Sequence, residues 1–104
     1  MTHRVVSSHA ADEDLADAVE VYRETADSET AARFVDAVEQ CLRRIAAFPS
    51  AGSMSAEVDT GIPGLRRLAV EKFPYHLFYT ADEDVVRVHR VLHARRDVGG
   101  AFSD

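Results

Sequence analysis

The spacing of apolar residues changes once along this chain, and that change restricts it to a fold of helices followed by strands. Before Pro63-Gly64 the apolar residues recur every three or four positions, as on one face of a helix. After that point they form three short runs rich in β-branched and aromatic residues, as in strands. A chain of 104 residues can build only one modest core. We therefore predict a single α+β domain spanning residues 1–104.

The first half begins with a short strand and an amphipathic helix. Val5-Val6 is a brief apolar pair that predicts a strand, and Ser8 has the chemistry of a helix N-cap. The helix that follows carries one apolar stripe with the spacing i, i+3, i+4, i+7, formed by Leu15, Ala18, Val19 and Tyr22.

A second, longer helix is predicted from Ser28, after the break at Ala26-Asp27-Ser28, up to Pro49, which ends it. Its apolar stripe consists of Ala31, Phe34, Val35, Val38, Cys41, Leu42, Ile45 and Phe48. Two consecutive amphipathic helices with a short break predict an antiparallel hairpin. Each stripe needs an apolar surface to cover, so the hairpin must pack on something.

Three strands are predicted in the second half, at Leu65–Val70, Tyr75–Thr80 and Val85–Leu92. Their short connections indicate an antiparallel meander. Ser50–Gly64 has no period and is predicted to be a long loop. The expected order is β-α-α-β-β-β, with the helix hairpin packed on one face of a small antiparallel sheet that the first strand also joins.

Charge and composition exclude several classes of protein. The formal net charge is −6, so bulk electrostatics do not favour nucleic-acid binding. Residues 1–60 carry 5 Arg and 12 acids, a sum of −7, whereas residues 61–104 carry 7 Lys or Arg and 6 acids, a sum of +1. The single Cys41 excludes an internal disulfide. No signal-peptide core and no apolar run of the ~20 residues that span a bilayer is evident, so we predict a cytoplasmic protein.

The last strand runs into a dense group of charged residues, Val88–Asp97. Packing alone rarely ends a strand in this way, and long cationic side chains at the rim of a sheet can meet an acidic partner. We predict a cationic patch there, and its members are His93, Arg95, Arg96, Arg66 and Arg87. The residues from about Val98 onwards are predicted to form a flexible tail.

Strand alternation singles out Arg90. Val86 and Val88 share a face with Arg90, which leaves Val91 on the opposite face. Either a bulge shifts the register near Arg90, or Arg90 points inward and pairs with a carboxylate. Asp97 is the predicted partner in a structural ion pair, and an acid on the helices is the alternative.

The histidines predict no metal site. His89 and His93 are four residues apart, a spacing that suits a shared metal on a helix but separates them by roughly 13 Å on a strand. No cofactor and no catalytic residue is predicted either.

Several local features, in this order, resemble the RelE/ParE superfamily of small toxins. Phe48-Pro49-Ser50-Ala51-Gly52 is similar to the Pro-x-x-Gly that closes the second helix of ParE toxins. Gly64-Leu65-Arg66 resembles the Gly-x-Arg that opens their second strand, and Phe73–Tyr79 resembles their aromatic third strand. Arg90–Asp97 resembles their C-terminal His-x-Arg-Arg-Asp ending. The resemblance covers nearly the whole chain.

The resemblance implies the toxin of a type II toxin–antitoxin pair. ParE toxins inhibit DNA gyrase by binding, without catalysis, and a cognate ParD-type antitoxin neutralises them. By this resemblance the chain forms a hetero-oligomer with its antitoxin, reaches operator DNA only through the antitoxin, and uses the cationic patch on its target. The residues predicted to bind the antitoxin are Leu15, Val19, Tyr22, Phe34 and Val38.

Two alternatives stay open. A ribosome-dependent mRNA endonuclease of the RelE kind commonly has an Arg in the third strand and a Tyr or His near the C-terminus. Here His76 takes the first position and no Tyr follows Tyr79, although His93, Arg95 and Arg96 could form a phosphate site. The other alternative is a non-toxic remnant that binds an antitoxin and tunes operon repression.

Overall fold

The structure is a computed structural model in which residues 2–102 are described. Its elements, in chain order, are β1 (Arg4–Ser7), α1 (His9–Thr25), α2 (Ser28–Ala47), α3 (Ser55–Thr60), β2 (Arg66–Ala69), β3 (Tyr75–Asp82), β4 (Val85–His93) and α4 (Val98–Ala101). The predicted α+β class and the helix hairpin followed by a three-stranded meander are confirmed.

One sheet of four strands has the order β1-β4-β3-β2. Strands β2, β3 and β4 are antiparallel, as predicted, but β1 pairs with β4 in parallel, so the sheet is mixed. A parallel pair needs a long crossover connection. The helix hairpin, α3 and the first two strands of the meander, β2 and β3, lie between β1 and β4 in the chain and together form that connection.

Side chains cap both long helices at their N-termini. Ser8 Oγ accepts a hydrogen bond from the Ala11 N–H at 2.9 Å, as the sequence indicates. Asp27 Oδ1 accepts one from the Thr30 N–H at 2.7 Å, so α2 begins at Ser28. Each cap satisfies an N–H group that has no partner within the helix.

The hairpin packs on one face of the sheet and forms the first core. Its buried members are Ala11, Ala18, Phe34, Val38, Cys41, Ile45, Val70, Leu77, Tyr79, Val86, Val88 and Val91. Phe48, which the sequence pattern places on the same stripe, is 68% exposed. It follows the last residue of α2, so the helical period no longer directs its side chain.

The other face of the sheet carries a smaller second core, in which Leu65, Phe78 and Leu92 are buried together with Ala56 of α3. The segment predicted to be a long loop thus contains α3 and a 3₁₀ turn at Pro49–Ala51. Where a flexible tail is predicted, the chain forms α4, and the Phe102 ring lies 5.8 Å from that of Phe78. The apolar surface of the second face accounts for this packing.

The turn after α2 is held by a buried tyrosine. Tyr79 Oη donates to the Pro49 carbonyl and accepts from the Gly52 N–H, both at 2.8 Å. A Cβ atom on Gly52 would lie 2.7 Å from Tyr79 Oη and 3.0 Å from the Arg67 carbonyl oxygen, so only glycine fits there. Arg66 Nη1 donates to the Gly52 carbonyl at 2.8 Å and closes the same turn.

Candidate functional site

A bulge in β4 shapes the charged end of the sheet. Phe78 pairs with Arg90 and Tyr79 pairs with Val88, so His89 is an extra residue on β4. The bulge allows Val88 and Val91 to lie in the same core although they are three positions apart, an odd separation that would otherwise place them on opposite faces. Of the two alternatives that strand alternation left open at Arg90, the structure therefore has the bulge.

Arg90 forms a bidentate ion pair with Asp14 of α1. Its Nε donates to Asp14 Oδ2 at 2.7 Å and its Nη2 donates to Asp14 Oδ1 at 2.9 Å. The two side chains are 19% and 13% exposed. The hydrogen bonds to Asp14 raise the pKa of Arg90. The partner is thus an acid on the helices, which was the alternative, and not Asp97.

The end of β1 explains why Asp14 takes this position. The pairing between β1 and β4 ends at Ser7 and Val88, so the rest of the β4 edge needs other partners. The first residues of α1 cover it: Ser8 Oγ donates to the His89 carbonyl at 2.8 Å, and Asp14 Oδ2 accepts from the Val91 N–H at 3.0 Å. The Asp14 carboxylate therefore accepts hydrogen bonds both from the Val91 N–H at the edge of β4 and from the Arg90 guanidinium.

Arg90 also reaches the C-terminal helix. Its Nη1 donates to the Ala101 carbonyl at 3.1 Å, so one guanidinium joins α1 to α4. Asp97 is the N-cap residue of α4, and a Cβ atom on Gly100 would lie 2.8 Å from its Oδ2. Asp97 therefore lies at the N-terminal end of α4, whereas Arg90 bonds to the last residue of that helix.

The segment between β4 and α4 presents His93, Arg95 and Arg96, which we name the cationic turn. The His93 ring lies 5.2 Å from that of Tyr75 on the neighbouring strand. Its Nδ1 accepts from the Arg95 N–H at 3.1 Å. Arg95 and Arg96 are exposed, and neither forms a salt bridge with another residue within the described range 2–102.

The structure does not bring Arg66 and Arg87 to the cationic turn. Arg66 faces the helix layer, where its guanidinium donates to the carbonyls of Ser50 and Gly52. Arg87 is six residues from His93 on β4, roughly 20 Å along a strand, and its Nε lies 3.6 Å from Asp82 Oδ2. The predicted patch of five residues is therefore reduced to three.

Arg67, and not Arg66, is the β2 arginine that lies beside the cationic turn. Its guanidinium carbon lies 5.9 Å from the centroid of the Phe78 ring, and its Nη2 donates to Ser55 Oγ at 2.7 Å. It shares a cavity of about 360 Å³ with Arg96 and Asp97, next to the cationic turn. Strand alternation places Arg67 on the face opposite Arg66, so only one of the two can join the patch.

The residues predicted to bind an antitoxin separate into two groups. Phe34 and Val38 are 0% and 2% exposed in the first core, so no partner can contact them in this fold. Tyr22 is half-buried, with its ring 5.2 Å from that of Phe34. The sheet takes most of the hairpin's apolar surface, and this is why the stripe does not remain available.

Leu15 and Val19 are half-buried and line an open groove between α1 and α2, which we name the outer groove. Its volume is about 480 Å³. The residues lining it are Asp12, Leu15, Ala16, Val19, Glu20, Arg23 and Val35. The floor is apolar and the rim carries two carboxylates and one guanidinium, which itself lies 3.0 Å from Glu20.

Two half-buried histidines make the stability of the protein depend on pH. Burial lowers the pKa of His76 and of His89, and the nearby Arg67 and Arg87 respectively lower it further. His89 Nε2 lies 2.9 Å from Thr80 Oγ1. The unfolded chain, with ordinary pKa values near ~6.5, therefore binds more protons than the folded protein as the pH falls.

We expect the free energy of unfolding to decrease as the pH is lowered from about 7.5 to about 5.5, since both imidazoles must be protonated in an unfavourable environment. Urea denaturation at several pH values measures this. The double variant His76→Gln/His89→Gln should show a flatter dependence over the same range. An unchanged slope in the double variant would contradict the assignment.

Comparisons with known proteins bear on the whole chain. Residues 5–98 match the family model described as the ParE toxin of the type II toxin–antitoxin system parDE. The solved structure of the chromosomal ParDE TA system from P. aeruginosa has a similar fold, with a TM-score of 0.73 and 18% sequence identity, covering 88% of this chain and 96% of that one. None of the curated proteins matches the chain at a significant level. Among the described residues, no helix has the length and apolar character needed to cross a bilayer.

Proposed function

This chain belongs to the family of ParE toxins of type II toxin–antitoxin systems, and we propose that it inhibits DNA gyrase by binding in the cytoplasm and is neutralised by a cognate ParD-like antitoxin. The observation that carries the proposal is the cationic turn. Arg95 and Arg96 are exposed at the rim of the sheet, in a protein whose net charge is −6. An acidic chain that presents adjacent cations at one point is suited to one specific anionic contact.

The cationic turn contributes binding energy through charge-assisted hydrogen bonds. Two guanidiniums can each form bidentate contacts with carboxylates of a protein surface or with phosphates of a gyrase–DNA complex. The His93 ring, against Tyr75 and bonded to the Arg95 N–H, sets the direction in which the chain leaves the sheet. Binding to the target in this way requires no covalent bond to be made or broken.

The outer groove is the proposed docking site of the antitoxin. Its apolar floor at Leu15 and Val19 suits the apolar face of an amphipathic helix, and Asp12 on the rim suits basic residues beside that face. An antitoxin segment that is disordered when free would fold into a helix as it binds in this groove. Because the toxin itself is acidic, we propose that the hetero-oligomer contacts operator DNA through the antitoxin only.

We expect the protein to form a stable complex with the antitoxin encoded beside it when the two are co-expressed, as seen by size-exclusion chromatography. Ala16→Glu should weaken the complex at least about tenfold, because the exposed Ala16 lines the outer groove and a charge there blocks an apolar helix face. The matched control is Val58→Glu on α3, at a side chain that is 84% exposed away from the hairpin. Separate elution of the wild-type pair at micromolar concentration would refute the proposal.

A further inference from the structure

Exposed apolar side chains cluster around Arg96. Within the described part of the chain, four large apolar residues are exposed, and three of them are Val21, Met54 and Val58, at 48%, 39% and 84%. The fourth, Phe48, directly follows α2. Single exposed apolar residues are ordinary, whereas a group of them beside charged residues marks an interaction site.

Arg96 lines two clefts. The first, of about 160 Å³, lies between α1 and the end of β4, and Val21, Tyr75 and His93 also line it. The second is the cavity of about 360 Å³ that Arg96 shares with Arg67. The Arg96 side chain is exposed and therefore connects the two clefts at the surface.

The period of α3 places its exposed apolar side chains beside the second cleft. Ser55 and Asp59 are four residues apart and face Arg67, whose Nη2 lies 2.7 Å from Ser55 Oγ and 4.0 Å from Asp59 Oδ2. Met54 and Val58 precede them by one position each, so they share a face about 100° further round the helix. We name the whole area the mixed surface, and its members are Val21, Met54, Val58, Arg67 and Arg96.

The charges of the mixed surface do not favour DNA. The residues that line the two clefts include four carboxylates and two guanidiniums, a sum of −2, and adding Arg95 makes it −1. Affinity for a phosphate backbone requires an excess of cations. Arginine, methionine and aromatic residues are instead enriched at interfaces between proteins, and Arg96, Met54 and Tyr75 are of these types.

The helix α1 separates the mixed surface from the outer groove. Leu15 and Val19 line the outer groove, whereas Asp17 and Val21 line the first cleft. Each of the second pair is two positions after one of the first, which is about 200° round a helix. A partner in the outer groove therefore leaves the mixed surface open.

We propose that the mixed surface binds the protein surface of the target, and not DNA phosphates, at an apolar patch that carries a carboxylate. The apolar patch packs on Val21, Met54 and Val58, and the carboxylate pairs with Arg96. This rests on the proposed function, since it takes gyrase as the target. It selects one of the two anionic partners that the cationic turn is suited to meet, and it extends the contact onto α1 and α3.

Substitutions of opposite charge at one position test the inference. Val58→Glu and Val58→Lys should each raise the concentration needed to inhibit DNA supercoiling by purified gyrase at least about tenfold, because either charge loses its water against an apolar patch. A contact with phosphates alone would be strengthened by Lys and weakened by Glu. The matched control is the pair Phe48→Glu and Phe48→Lys, at an exposed apolar residue that lines neither cleft, and it should inhibit within about twofold of the wild type.

Val21 provides the same test at the other end of the mixed surface, where Val21→Glu and Val21→Lys should both weaken inhibition. Urea denaturation shows that each variant is folded. Calorimetric titration of the full-length protein into the purified gyrase subunits, without DNA, is the second measurement. One subunit should bind at micromolar concentration or below, and Val58→Glu should bind it at least about tenfold more weakly.

The outcomes separate this inference from the proposed function. Inhibition by the wild type that the Val58 and Val21 variants retain overturns the inference and leaves gyrase as the target. Opposite effects of Glu and Lys, or binding only after DNA is added, also overturn it, and so does an equal loss in the Phe48 pair. If the Val58 and Val21 variants lose the antitoxin complex instead, the antitoxin occupies this surface and the inference is wrong. No inhibition by the wild type overturns gyrase as the target and the inference with it.

Discussion

Replacing Asp14 by alanine is expected to lower the free energy of unfolding by about 3–5 kcal/mol, the cost of removing one partner from a buried ion pair. Asp14 and Arg90 are 13% and 19% exposed, so water can only partly hydrate the Arg90 guanidinium after its carboxylate partner is removed. The substitution also leaves the Val91 N–H without its acceptor. Urea denaturation followed by circular dichroism gives the value.

The matched control is Asp17→Ala, one turn along the same helix at an exposed side chain, which should change the free energy of unfolding by no more than about 0.5 kcal/mol. The double variant Asp14→Ala/Arg90→Met should recover part of the loss, because it removes the unpaired charge as well. A loss of less than about 1 kcal/mol in Asp14→Ala would show that the Arg90 guanidinium finds another partner.

The double variant Arg95→Ala/Arg96→Ala is expected to abolish growth arrest and to raise the concentration needed to inhibit DNA supercoiling by purified gyrase about 100-fold or more. Arginines at the centre of an interface each contribute about 2 kcal/mol or more, and two such losses exceed the roughly 2.8 kcal/mol that a 100-fold change requires. Both side chains are exposed and outside the two cores, so the fold should be retained. Circular dichroism and urea denaturation check that retention.

Arg43→Ala/Arg44→Ala is the matched control, since it removes two adjacent exposed arginines from α2 at a distance from the cationic turn. It should inhibit gyrase as the wild type does. Substitution is preferable to truncation after Leu92, which would remove Phe102 from the second core and the Ala101 carbonyl from Arg90. Equal inhibition by both double variants would refute the role of the cationic turn, and discrete cuts in ribosome-bound message would favour the endonuclease alternative.

Features that depend on neighbours in the chain were predictable from the sequence. The cap at Ser8, the end of α2 before Pro49 and the meander of β2 to β4 follow from local hydrogen bonding, fixed backbone angles and short connections. The odd separation between Val88 and Val91 made a bulge one of two alternatives, and only the structure, which places both residues in one core, decided for it.

Features that depend on residues far apart in the chain were decided only by the tertiary structure. The partner of Arg90 is 76 positions away, and it was chosen because β1 ends at Ser7 and exposes the edge that α1 then covers. The parallel pairing of β1, which no local pattern reports, produced that edge. The sequence alone therefore determined that Arg90 needs a carboxylate, while the order of the strands determined which one.

The same distinction explains the candidate site. An apolar stripe indicates that a helix face is covered, but it does not say by what. In the structure Phe34 and Val38 face the sheet, while Leu15 and Val19 line an open groove. Only the packing of the helices on the sheet distinguishes the two pairs. The composition of the last residues suggested a flexible tail, yet the apolar second face of the sheet binds Phe102. The charges of the cationic turn could be predicted from the sequence, because exposed charged residues need no partner elsewhere in the chain. The contacts that hold these residues at the rim of the sheet could not, because they depend on how the helices pack on the sheet.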